Sequence, residues 1–162
     1  MTTTLNGSYG SLVVVKGDGF LLNNEMDDFS VKPGSPNAYG LIGGEANSIA
    51  PGKRMLSSMT PTIIEKDSKL YMVVGTPGGA TIITSVFQAI INVIDFNMTM
   101  QDAVAARRFH SQWLPDVIYS EDGAFSSELQ QKLTEKGYNL APRGLMGEVN
   151  AILSTPQGYQ AG

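Results

Sequence analysis

Leu70-Tyr71-Met72-Val73-Val74-Gly75-Thr76-Pro77-Gly78-Gly79-Ala80 is the stretch that decides the fold, together with the amphipathic run that continues to Phe96. An apolar, β-branched run ends in a glycine turn and opens a helix. The first N–H groups of a helix have no partner inside it, and its dipole favours negative charge there. Thr76–Ala80 therefore fits an anion or oxyanion site, and equally a tight corner in which Gly supplies positive φ. Downstream, Ile83, Phe87, Ile90 and Ile94 fall at helical spacing, widened by Ile82, Val86 and Ile91, which predicts a largely buried helix. Upstream, Thr62–Lys66 and Leu70–Val74 flank Asp67-Ser68-Lys69 as a hairpin.

Further out, Ser11–Lys16 is β-branched and reads as a strand, closed by Gly17-Asp18-Gly19, with Phe20-Leu21-Leu22 a short buried segment. Asn23–Gly52 has no periodicity and is rich in Gly, Pro, Asn and Ser; unstructured stretches of that length are unusual inside a compact domain and are usually functional or wrapped over a partner. Thr99 is placed to cap a helix over Met100–Arg107, and Ser126 to cap a third one, with Leu129 and Leu133 inward and Gly137 as its stop. Val117–Ser120 and Glu148–Ser154 read as strands, the latter with a short tail behind it. Strands, then helices, then strands indicate α+β or layered architecture rather than repeated βαβ units.

The length of 162 residues and 42% apolar content fit a single domain, residues 1–162, without internal repeats. A net charge of −4 with 11 Lys and Arg argues against nucleic acid, which needs a basic face. Cysteine is absent, which excludes disulfides, thiolate metal sites and a cysteine nucleophile. Met1–Asn6 lacks the basic and apolar regions of a signal peptide, and Ile90–Ile94 is broken by Asn92, far short of the about 18–20 residues of a membrane span. The chain reads as soluble.

Three clusters carry polar chemistry. Glu25-Met26-Asp27-Asp28 suits an ammonium group, a cation or acid–base work, or a solvated turn; it lacks EF-hand spacing and further metal ligands. Ser57-Ser58 within Leu56–Pro61 suits a carboxylate, or caps a turn. Thr3–Gly10 concentrates hydroxyl, amide and glycine residues before a strand, as a ligand loop or a turn. His110 is the single histidine, and without a G-x-S-x-G elbow it reads as packed and hydrogen-bonded rather than as the base of a serine hydrolase.

Five segments in order join these pieces: Thr4-Leu5-Asn6, Leu21-Leu22-Asn23-Asn24-Glu25-Met26-Asp27-Asp28-Phe29, Lys53–Pro61, Gly75–Gly79 and Arg108-Phe109-His110-Ser111-Gln112-Trp113-Leu114-Pro115. In them the chain resembles the small subunit of γ-glutamyltransferases, of the N-terminal-nucleophile hydrolase superfamily. The resemblance implies an α/β/β/α four-layer sandwich, here without its first inner strand. It implies ping-pong transfer of a γ-glutamyl group from glutathione or a related compound to water, an amino acid or a peptide, without metal or organic cofactor.

By the same resemblance, Asn6, Glu25 and Asp28 hold the substrate α-ammonium in charge-assisted bonds. Many bacterial members carry Gln where Glu25 stands, so this site is more anionic. Ser57 and Ser58 bind the α-carboxylate with an arginine of the large subunit. Gly78 and Gly79 form the oxyanion hole. Thr4 matches a threonine that hydrogen-bonds the nucleophile. That nucleophile is a threonine exposed by autocatalytic cleavage, with its own α-amine as base, roughly 20 residues before Thr4 and therefore upstream of Met1; Thr2 and Thr3 lie past it. The implied partner is the large subunit of the same precursor, the implied location periplasmic or extracellular, and the chain alone is expected to be inactive. An inactive ligand-binding fragment and an acylase for β-lactam side chains are the competing readings; the acidic set favours a glutamyl substrate.

Overall fold

The computed structural model of the chain describes residues 4–162. Thr2 and Thr3 lie outside the described residues. Two units follow one another, Met1–Ser58 and Met59–Gly162.

In the first unit polar side chains and turns replace regular structure. Ser11–Lys16 does not become a strand. Ser11 N and Leu22 N donate to Leu22 O and Val13 O, both at 2.9 Å, but pairing is limited to one bridge, Val14–Leu21. Leu12, at φ 60°, breaks the extended run. Phe20 and Leu22 are correspondingly exposed, at 55% and 43%, and not buried as the sequence predicts. A two-stranded ribbon has no second layer on which to bury its side chains. The long stretch that follows is pinned by two single-turn 3-10 helices, Glu25–Asp28 and Glu45–Asn47, and by Asn37 Oδ1, which accepts from Tyr39 N and Leu41 N at 2.9 and 3.0 Å. Phe29 between them is buried.

The second unit is built on alternation. Strands β1 (Thr62–Lys66) and β2 (Lys69–Gly75) form the expected hairpin, with Asp67 and Ser68 at positive φ in its turn. Ile64 pairs with Met72 and Glu65 with Leu70, so Tyr71 is an extra residue, a β-bulge. The bulge places Tyr71 on the same side as Met72, and it packs with Met72 against the core. Helix α1 (Ile82–Ile94) crosses that side of the sheet, followed by α2 (Met100–Ala105), β3 (Phe109–His110), β4 (Ile118–Ser120), α3 (Ser127–Glu135), β5 (Leu140–Pro142), β6 (Asn150–Thr155) and β7 (Gly158–Ala161). The sheets are a four-stranded antiparallel β1-β2-β6-β7 and a three-stranded β3-β4-β5, in which β4 and β5 run parallel.

The core lies between α1 and the larger sheet: Ile82, Val86, Ala89 and Val93 sit over Met72 and Val74 of β2 and Ala151 and Leu153 of β6, closed at one end by Met100 and Ala103. The face of α1 is one position off the stripe the sequence predicts. Ile83 and Phe87 are 66% and 60% exposed, and Ile94 is exposed as well, so the helix is half-buried. Both stripes are apolar, and spacing alone cannot choose between them. Thr99 caps α2 as expected, accepting from Asp102 N at 3.2 Å, but the helix ends at Ala105 because Arg108 is drawn into a buried pair. Arg108 Nε lies 3.5 Å from Glu121 Oε1, and Glu121 also accepts from Arg108 N and from Met146 N at 3.1 and 2.6 Å. Helix α3 is capped by Ser126 as expected, yet buries no residue; Leu129 is 41% exposed. Strands β3, β5 and β7 are too short or too polar to show in the sequence, and β7 occupies what reads there as a tail.

Candidate active site

Unit by unit, the structure gathers the residues singled out by the sequence. In the first, Asn6 sits at φ 71° and its N–H bonds Thr4 Oγ1 at 2.9 Å. The Thr4 hydroxyl accepts this bond and keeps its own proton to donate. Asn24 ties the segment to the acidic turn: its Oδ1 accepts from Gly7 N at 2.8 Å and its N–H donates to Leu5 O at 3.1 Å. The next residues are the 3-10 turn Glu25–Asp28, with Glu25 and Asp28 half-buried and Asp27 exposed. Ser58 Oγ donates to Asp28 Oδ2 at 2.7 Å. Asn47 braces the pair, donating to Asp28 O at 2.7 Å and accepting from Leu56 N at 2.9 Å. Ser57, exposed, is its chain neighbour. Asn24 and Asn47 were not singled out in the sequence as site residues; an Asn in a Gly-rich loop carries no signal of a long-range partner.

In the second unit, β2 stops at Gly75 and the chain turns through Gly78 (φ 145°, ψ 10°) and Gly79 (φ 57°) into a 3-10 turn, Gly79–Thr81, and then α1. Side chains rarely tolerate either backbone conformation, which is why both are glycine. Among the described residues neither N–H is engaged in a hydrogen bond. Two free donors at the start of a helix whose other face is packed in the core are an arrangement able to accept an anion. His110 is not part of it. The ring is 2% exposed and held between Thr84 Oγ1 at 2.8 Å and Gln112 Oε1 at 2.7 Å. No group of acidic or histidine side chains able to hold a metal occurs among the described residues.

A family model described as gamma-glutamyltranspeptidase matches residues 1–162. The chain belongs to the γ-glutamyltranspeptidase family. It is 49% identical over 158 residues to a glutathione hydrolase proenzyme of Escherichia coli K12, covering 98% of this chain and 27% of that protein. It is 53% identical over 154 residues to the glutathione hydrolase proenzyme of Pseudomonas aeruginosa, covering 93% and 28%. The chain thus spans about a quarter of the length of these relatives. A crystal structure of an acivicin-inhibited gamma-glutamyltranspeptidase superposes with a TM-score of 0.93 at 52% identity, covering all of this chain and 87% of that one. The fold is accordingly the α+β N-terminal-nucleophile hydrolase fold of the γ-glutamyltranspeptidases.

Proposed function

We propose that this chain is the greater part of the small subunit of an enzyme that moves γ-glutamyl groups from glutathione and similar amides to water or to an amino-acid or peptide acceptor. The observation that carries the reading is the Gly78–Gly79 turn, two unengaged N–H groups at the start of α1, in a chain of the γ-glutamyltranspeptidase family. The nucleophile is assigned to a threonine that precedes this chain in its precursor. Its Oγ adds to the γ-amide carbonyl while its proton passes to the threonine's own α-amine. The carbonyl oxygen becomes an oxyanion facing Gly78 and Gly79. The C–N bond breaks, the amine leaves with the proton, and water or an acceptor amine then opens the ester. No cofactor enters this scheme. Thr4, with its proton free to donate, is assigned to orient the nucleophile.

Asn6, Glu25 and Asp28 are assigned to the α-ammonium of the glutamyl group, and Ser57 and Ser58 to its α-carboxylate. A hydroxyl has one proton, and that of Ser58 is committed to Asp28. Arrival of the ammonium gives Asp28 a better donor and releases the Ser58 proton to the carboxylate, so the two ends of the amino acid are recognised together. Names of relatives as proenzymes support a large-subunit partner cut from the same precursor, and the family supports a periplasmic or extracellular location. No helix among the described residues is long and apolar enough to cross a membrane.

The test is release of p-nitroaniline from γ-glutamyl-p-nitroanilide by the full-length precursor after processing. Turnover is expected, with none from residues 1–162 alone. Asp28→Ala removes a charge-assisted bond and should lower kcat/KM by about 10- to 100-fold. A processed enzyme that releases no aniline overturns the reading; unchanged kinetics in Asp28→Ala removes Asp28 from the site.

A further inference from the structure

The N–H and C=O of one peptide lie in a plane and point in opposite directions, so a group that grips the oxygen aims the hydrogen. The Gly78 N–H shares its plane with Pro77 C=O, which accepts from Thr76 Oγ1 at 2.8 Å. The Gly79 N–H shares its plane with Gly78 C=O, which accepts from Thr81 Oγ1 at 2.9 Å and from Thr81 N at 3.2 Å. Each donor of the turn is therefore held by a threonine hydroxyl on the far side of its own peptide. Thr81 is 1% exposed, so its hydroxyl bonds Gly78 without competing water. It stands at the N-cap of α1 yet makes no side-chain cap bond, although Thr is favoured in that role. The hydroxyl is turned back toward the turn instead.

A third residue closes the arrangement. Gly147, at φ 78° in the loop before β6, lies directly behind the first peptide: a Cβ there would fall against Thr76 Oγ1 and 2.5 Å from Pro77 O. Its neighbour Met146 is fixed at both backbone groups, the N–H by Glu121 Oε1 at 2.6 Å and the carbonyl by Arg108 Nε at 2.9 Å. The wall behind the turn is thus anchored in the buried ion pair.

We propose that Thr76 and Thr81 are positioning residues that aim the Gly78 and Gly79 N–H groups, and that Gly147 is the surface against which the Pro77–Gly78 peptide is set. The proposal rests on the acyl-transfer reading above. Without the grip the glycine peptides can rotate, and a donor turned away from the developing oxyanion stabilises the transition state but little. Substrate binding is left alone.

The experiment compares Thr81→Val, Thr81→Ser, Thr76→Val and Gly147→Ala in the processed full-length enzyme, by kcat and KM for the γ-glutamyl anilide. Thr81→Val and Thr76→Val should each lower kcat by about 10- to 100-fold with KM within about threefold of wild type. Thr81→Ser, which keeps the hydroxyl, should regain most of the rate; a structural role for the side chain would not give this split. Gly147→Ala should lower kcat in the same way. Should Thr81→Val fail to fold, Thr76→Val and Thr81→Ser decide the matter. Wild-type kcat in both valine variants, or a loss carried by KM, overturns the positioning role while leaving the acyl-transfer reading intact. A wild-type enzyme without turnover overturns both.

Discussion

At the scale of single residues, the second unit depends on a carboxylate buried almost completely. Glu121 is 3% exposed and serves three donors at once: the Arg108 guanidinium, the Arg108 N–H and the Met146 N–H. A buried ion pair is costly to form and costlier to break, since removing one partner strands the other charge. Glu121→Ala should therefore cost about 3–5 kcal/mol of stability, far beyond the loss of its few methylenes. Denaturant unfolding of the chain measures it, and a loss below about 1 kcal/mol would show that Arg108 finds water or another acceptor. The contrast with Glu128 is instructive. Its contact with Lys132 is shorter, at 2.6 Å, yet both side chains are mostly exposed, and Glu128→Ala should shift stability by no more than about 0.5 kcal/mol.

At the scale of elements, α1 poses the sharpest test because two adjacent isoleucines have opposite fates. Ile82 is 8% exposed and packed in the core, while Ile83 is 66% exposed. Ile82→Ala should destabilise by about 2–5 kcal/mol and Ile83→Ala by no more than about 0.5 kcal/mol. Equal effects would mean that both faces are covered in solution. Here the limits of the sequence are plain. The hairpin, the glycine turn and all three helix starts are legible because each depends on neighbours: Thr99 and Ser126 cap N–H groups three residues away. What was not legible depends on distant partners. Which stripe of α1 faces the sheet is set by Met72 and Leu153, and the brace on Asp28 by Asn47, nineteen residues away. Ser11–Lys16 failed as a strand for the same reason, since β-branched residues make a strand only when something lies beside and beneath them. The acidic turn and the serine pair were visible as residues; that Ser58 bonds Asp28 across thirty positions was not.

At the scale of the whole molecule, apolar side chains remain in contact with water in both units, among them Leu12, Val14, Phe20, Ile83, Phe87 and Trp113. Ile83 and Phe87 lie one turn apart on the open face of α1, and it is contiguous exposed apolar surface that marks interaction sites. Residues 1–162 prepared alone should bind a hydrophobic dye in the folded state, and Ile83→Lys with Phe87→Glu should reduce the fluorescence without lowering the unfolding midpoint. Dye binding unchanged by that pair would place the sticky surface elsewhere. The β-bulge at Tyr71 bears on the same molecule over a longer history. Strand residues alternate between faces, so gaining or losing one residue inverts everything beyond the change. In β2 that inversion is already built in: Leu70 lies on the open side and Val74 on the core side, an even number of positions apart, because Tyr71 breaks the parity between them. A lineage that deletes Tyr71 would remove the bulge, make Ile64–Met72 and Glu65–Leu70 successive regular pairs, and leave Leu70 on the open side with the hairpin tip unturned. The strand between Met72 and Gly75, which leads into the glycine turn, would keep its register. Loss of that one residue is thus absorbed at the bulge itself, and the approach to Gly78 is insulated from it.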